Sequence, residues 1–155
     1  SPVDTLRRTN ELILDDARSG MFVTVFHSVL HSNGRTVHVN AGHNPPVLYR
    51  HATRTTSFLP RGGRAIGWFP DIPLTEVEQQ LEPGDVILYY TDGLTEAENR
   101  EQDYFSEERL VQALLEVAEE SAEKIADHIL GKVDTFCGDA PAIDDLTLFV
   151  VRYTG

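Results

Sequence analysis

The sequence predicts an α+β fold, a β-sandwich of mainly antiparallel strands flanked by helices. Three observations carry that expectation. Asn33-Gly34 separates a run rich in Val, Phe and Thr from an alternating one, and this dipeptide is the strongest short hairpin signal because both residues tolerate positive φ. Further short apolar runs follow, punctuated by Gly and Pro at strand spacing. Helical periodicity is confined to the start of the chain and to a stretch near its end.

Taken in order, residues 3–17 place Val3, Leu6, Ile13, Leu14 and Ala17 at helical spacing with charges between them, and Gly20 ends that segment. Residues 21–31 form a long strand. Beyond the Asn33-Gly34 turn, residues 36–41 alternate, with Val37, Val39 and Ala41 on one face and Thr36, His38 and Asn40 on the other. Gly42-His43-Asn44-Pro45-Pro46 stops this strand, since two prolines remove two donors. Residues 47–50 and 56–59 make a second hairpin, and residues 60–73 a loop anchored by Ile66, Trp68 and Phe69. Residues 75–81 are a strand with Glu76, Glu78 and Gln80 toward water. Pro83-Gly84-Asp85 turns the chain into the apolar run 86–90, a strand buried on both faces. Ser106 caps a helix that buries Leu110, Leu114 and Val117. A second helix over 121–136 carries Ala122, Ile125, Ile129, Val133 and Phe136 on one stripe, and a loop through Gly138-Asp139-Ala140-Pro141 leads to a last strand, 146–153.

The bulk properties narrow the class of function. The 155 residues, 41% apolar and 25% charged, suit a single domain with its own core. No apolar run reaches the ~20 residues of a membrane helix, so no membrane contact is expected from this chain. Nothing at the start has the basic-then-apolar pattern of a leader. Cys137 is the sole cysteine, which rules out an internal disulfide and fits a reducing cytoplasm. A net charge of −12 repels phosphate backbones, so nucleic acid is not an expected partner. The acidity serves solubility, or crowds carboxylates together around divalent cations, and composition does not separate the two. The chain opens on Ser1-Pro2 without a methionine, so further sequence is expected upstream.

Two acidic sites stand out by position. Asp92 follows the buried strand in Tyr90-Thr91-Asp92-Gly93, and Asp144-Asp145 precedes the last strand in Ile143-Asp144-Asp145-Leu146-Thr147. A carboxylate at the mouth of an apolar strand is held by a rigid element yet reaches solvent, as Mg²⁺ or Mn²⁺ requires. Gly93 would let backbone or water approach such a metal closely. Each site also has an ordinary explanation, because Asp-Gly is a common turn and Asp before a strand makes Asx-turns. Other candidates are weaker. His27 and His31 share a strand face but have no third ligand near in sequence, and His43 sits in a proline-bounded loop where hydrogen bonding to backbone suffices to explain it. Cys137 reads as a packed thiol. Arg50, Arg54, Arg61 and Arg64 suit phosphate but also balance a strongly acidic surface.

Five segments occur in an order that resembles a known family: Met21-Phe22-Val23-Thr24; Asn40-Ala41-Gly42-His43-Asn44-Pro45-Pro46; Gly67; Pro83-Gly84-Asp85 leading to Tyr90-Thr91-Asp92-Gly93-Leu94-Thr95-Glu96; and Asp144-Asp145-Leu146-Thr147. Together they resemble the SpoIIE/RsbU branch of the PPM metal-dependent phosphatases, over residues 3–152. The resemblance implies a β-sandwich with two Mn²⁺ or Mg²⁺ ions ~4 Å apart at one end, activating a bridging water for attack on phosphoserine or phosphothreonine. Asp92 and Asp144 match the family's two C-terminal metal ligands and so its catalytic positions, Asp145 is a neighbouring metal candidate, and Glu96 a supporting residue. The family's bridging aspartate lies in a segment before the first helix, and nothing in this chain corresponds to it; Asp15-Asp16 sits at the wrong end of that helix. The implied parent is a serine/threonine protein phosphatase acting on a phosphorylated protein such as an anti-sigma-factor antagonist, of which this chain is the C-terminal part, with the first strands missing and little or no turnover of its own. Sheet edges exposed by their absence would pair in a homodimer. The alternatives are a non-catalytic phosphatase-like interaction module and a calcium-binding domain using Asp139, Asp144 and Asp145, the last without EF-hand spacing.

Overall fold

The computed structural model describes residues 1–16 and 20–155. Its elements in chain order are α1 (Pro2–Asp16), β1 (Val25–Leu30), β2 (Arg35–Ala41), β3 (Val47–Arg50), β4 (Thr55–Phe58), β5 (Glu76–Gln80), β6 (Val86–Tyr90), α2 (Asp92–Thr95), α3 (Ser106–Val117), α4 (Ala122–Cys137) and β7 (Leu148–Arg152). The strands form two antiparallel sheets, ordered β1-β2-β5 and β4-β3-β6-β7, so the α+β class with antiparallel pairing is the observed one. The chain groups into two compact units, one of Ser1–Pro45, Pro60–Leu81 and Gly155, the other of Pro46–Leu59 and Glu82–Thr154.

In the first unit, β1 and β2 pair from Val25↔Ala41 to Leu30↔Thr36 around the expected turn, where Gly34 N–H donates to His31 O at 3.0 Å. The first strand is shorter than its composition predicts. Ahead of Val25 only Val23 bridges, to Ile66, among the described residues. Met21 and Phe22 join no ladder among the described residues, and Phe22 stacks on Trp68 instead, with ring centroids 4.5 Å apart. The loop anchors also differ from expectation. Ile66 is 1% exposed, but Trp68 and Phe69 are 53% and 44% exposed. Val3 and Leu6 of α1 join Val39, Ala41, Ile66, Ile72 and Leu74 in this unit's core. Ala17, the last residue of the expected helical stripe, lies outside the described residues. Asn10, a polar residue on the same helical stripe as Leu6 and Ile13, is buried. Its Oδ1 accepts from Gly67 N–H at 2.7 Å and its Nδ2 donates to Phe69 O at 2.9 Å, pinning the loop to α1.

In the second unit, β6 is the strand that organises the core. Val86, Leu88 and Tyr90 pack with Val47 and Tyr49 of β3 and with Leu110, Leu114, Ile125, Ile129 and Val133 from α3 and α4. Ile87 is buried on the opposite face, so both faces of β6 are covered as its unbroken apolar run predicts. Ser121 caps α4, accepting from Lys124 N–H at 3.3 Å. Ser106 is itself the first helical residue of α3, with φ 73°, and the residue before it, Phe105, supplies no capping side chain. The last strand begins at Leu148 rather than 146 because Leu146 and Thr147 belong to the junction described next.

Candidate functional site

The site is built where β6 ends and β7 begins. These strands pair through Tyr90↔Leu148, which sets the segments carrying Asp92 and Asp144-Asp145 side by side. Thr91 straps them together. Its N–H donates to Thr147 O at 3.1 Å, its Oγ1 donates to Asp145 O at 3.2 Å, and the same oxygen accepts from Thr147 N–H at 3.0 Å. A Cβ on Gly93 would stand 2.4 Å from Asp145 O and 3.0 Å from Asp145 C. Glycine is thus needed here for the approach of Asp145's own carbonyl, a reason different from the one the sequence suggests.

Asp92 opens α2, a four-residue helix with no sequence signature of its own. Its backbone carbonyl accepts from Glu96 N–H at 2.7 Å, while Leu94 and Thr95 are buried beneath it. The carboxylate is exposed and accepts from Gly93 N–H at 3.1 Å. Asp144 and Asp145 are also exposed, and Asp144 Oδ1 accepts from the N–H of the next residue, Asp145, at 2.7 Å. Beside them opens a cavity of about 480 Å³, with Gly93, Glu96, Glu98, Asp134, Cys137 and Asp144 among its lining.

The donor chemistry suits a hard cation: exposed carboxylate oxygens, beside the ends of two paired strands, next to a glycine with no side chain. Among the described residues, however, no group of three or more His, Cys, Asp or Glu side chains converges on a point that would hold a metal. The residues therefore fit part of a donor set.

The other sequence candidates fall elsewhere. His31 Nε2 lies 3.3 Å from Arg35 Nη1, and His43 Nδ1 lies 3.2 Å from Thr24 Oγ1. The backbone of His43 is clamped by Asn40, which accepts from its N–H at 2.8 Å and donates to its carbonyl at 3.0 Å. Arg50 pairs with Asp85 at 2.6 Å, and Arg64 lies over the Phe69 ring. Cys137 is half-buried against the second unit's core, and burial, aided by Asp134, pushes its thiol up. Thr91 is the residue that sequence reasoning missed, and its only signal was a hydroxyl at the end of an apolar strand next to Asp-Gly.

Known proteins share this architecture. The model of the family described as Stage II sporulation protein E (SpoIIE) matches residues 1–154. Phosphoserine phosphatase RsbU of Bacillus subtilis is 29% identical over 157 residues, covering 97% of this chain and 45% of RsbU. The chain spans less than half the length of the curated relatives it matches. The SiaA-PP2C domain of Pseudomonas aeruginosa aligns with a TM-score of 0.79 at 20% identity, over 98% of this chain and 61% of that one. The Mn-presoaked phosphatase domain of the cell fate determinant SpoIIE from Bacillus subtilis gives 0.71 at 17%, over 100% and 66%. At these identities the structural likeness shows the fold.

Proposed function

The chain belongs to the SpoIIE family, and we propose that it is the C-terminal part of a metal-dependent serine/threonine protein phosphatase domain. The observation that carries this reading is the Thr91 strap, which sets the Asp92 and Asp144 segments side by side at one end of the β6-β7 pair. Asp92 and Asp144 would hold the cation, with Asp145 beside them, and Mn²⁺ or Mg²⁺ when bound supplies an activated water and charge neutralisation for phosphoester hydrolysis. The chain's own residues fix the carboxylates: Thr91 and the bare Gly93 lock the two segments in register, and α2 holds Asp92 over a buried base. The cavity beside Asp144 has room for a phosphorylated side chain and its flanking residues. The substrate proposed is a phosphorylated regulatory protein of the anti-sigma-factor-antagonist kind, met in the cytoplasm by a single domain. Pairing of two copies through sheet edges is part of the same proposal.

A second reading, a phosphatase-like interaction module without catalysis, is favoured by one observation: no three ligand-type side chains converge among the described residues. A single experiment separates the two. The full-length protein is assayed on a phosphoserine peptide with Mn²⁺, with Asp92→Asn and Asp144→Asn alongside. Loss of turnover by more than about a hundredfold in both is expected, since even groups behind a metal's ligands cost 10–100-fold, with unfolding midpoints unchanged. Full activity in either variant rejects the assignment, and a wild type that binds its partner but never turns over establishes the module. The 155-residue chain alone should turn over slowly or not at all.

A further inference from the structure

His38 occupies the middle of β2, itself the middle strand of its sheet, between Ser28 of β1 and Val77 of β5. Its ring stacks on Phe26, with centroids 5.1 Å apart, and the residue is 2% exposed. Its Nε2 is buried and has no hydrogen-bond partner among the described residues. Buried polar groups are nearly always paired, and the neighbours in the same strand obey that rule: Thr36 Oγ1 donates to Gln79 O at 3.0 Å, and Asn40 uses both ends of its amide on His43. His38 is the exception, and it lines a cavity of about 320 Å³ within the first unit.

The cavity is built by close backbone packing. A Cβ on Gly62 would stand 1.9 Å from Asn40 O, and one on Gly63 would stand 2.1 Å from Pro73 O. The loop reaches β2, through Gly63 N–H to Asn40 O at 2.8 Å, only because these residues lack side chains. Charge around the cavity runs against the rest of the chain. In a protein of net charge −12, the lining includes Arg61 and Thr75, and no Asp or Glu among the described residues. Burial holds the imidazole below its usual pKa, and the neutral ring carries one N–H, which an acceptor beside Nε2 would draw to that nitrogen. A donor-bearing, carboxylate-free cavity at the small end of ligand-pocket sizes calls for a compact acceptor.

We propose that this cavity binds a small oxyanion, its oxygen taking the hydrogen bond that His38 lacks and its charge meeting Arg61. Phosphate and a short carboxylate share that chemistry. The test uses the full-length protein stripped of metal and labelled at histidine Cε1, titrated with inorganic phosphate and separately with malonate while the imidazole resonances are followed by NMR. His38→Gln identifies the signal. One of the two anions should shift the His38 resonance saturably and raise its pKa, and which one does so names the source. Affinity should fall about tenfold or more in Arg61→Gln and in Thr75→Val, the effect of losing a hydrogen bond to a charged group. Asp92→Asn should leave the titration unchanged. The proposal is overturned if neither anion moves the His38 signal saturably, which would mean a cavity holding water alone. It is equally overturned if both cavity variants keep full affinity, or if Asp92→Asn abolishes the shift.

Discussion

At the entry to β6, Asp85 is 1% exposed and its carboxylate accepts from His51 N–H at 2.9 Å, Glu82 N–H at 3.0 Å and Arg50 Nη1 at 2.6 Å. At the exit of the same strand, Asp92 is exposed, and its carboxylate accepts from the adjacent Gly93 N–H at 3.1 Å. Both aspartates neighbour a glycine, and both flank the same apolar run. One has its lone pairs filled by the protein and holds the β3-β6 junction; the other keeps them open to a ligand. Hydrogen-bond saturation distinguishes a carboxylate that serves the fold from one available for chemistry.

The largest effect should come from emptying the saturated position. Asp85→Ala removes the Arg50 ion pair and leaves the Glu82 and His51 N–H groups without the carboxylate they share, and should cost about 3–5 kcal/mol, the usual loss on breaking a buried pair; urea unfolding reads it directly. Turnover per folded molecule should stay at the wild-type level, the reverse of Asp92→Asn. Acid titration sharpens the same contrast. Burial pushes the Asp85 carboxyl up, but the Glu82 and His51 N–H groups and Arg50 more than offset this and hold it below the ordinary value. Its contribution is therefore complete above the unfolded carboxylate pKa, about pH 4, and is lost as pH falls through the lower folded value. Asp85→Ala should flatten that acid limb.

Gly93→Ala is the next largest. Its Cβ would meet Asp145 O at 2.4 Å, so the two segments must part, at about 1–3 kcal/mol by analogy with overpacked cores. Activity should fall further than stability, and equal falls would mean that the approach of Asp145 matters only to folding. Thr91→Val is the mildest change. It keeps the side-chain shape, removes the Oγ1 bonds to Asp145 and Thr147, and should cost about 1 kcal/mol in thermal unfolding. A measurable drop in Mn²⁺ affinity should accompany it if the strap positions the carboxylates.

The same pair of aspartates shows what was legible in the sequence. The strand between them was plain from its unbroken apolar run, and the hairpins from alternation and Asn33-Gly34, because these are local signals. Asp85 read only as part of the Pro83-Gly84-Asp85 turn, because its partners include His51 and Arg50, more than thirty positions away and brought close only by the β3-β6 register. Asp92 and Asp144 were singled out by position and by family resemblance, and the resemblance alone assigns them to metal. Helix α2 was missed because four residues are too few to show a period. The strand expected over 21–31 was overextended because apolar composition reports what a strand would accept and not whether a neighbour exists to pair with it. The role of Asn10 was hidden for the same reason: its partners, Gly67 and Phe69, are distant in sequence.

Trp68 is the chain's only tryptophan and Cys137 its only cysteine, and they fall in different units. Each half of the molecule thus has a private optical reporter without any engineering. Indole emission, coupled to the Phe22 stack, follows the 60–73 loop, while a fluorophore on the Cys137 thiol follows the cavity beside Asp144. Because burial holds that thiol up, labelling is slow at neutral pH and faster in mild alkali. Recording both colours in one melt measures whether the two units lose structure in step or in sequence.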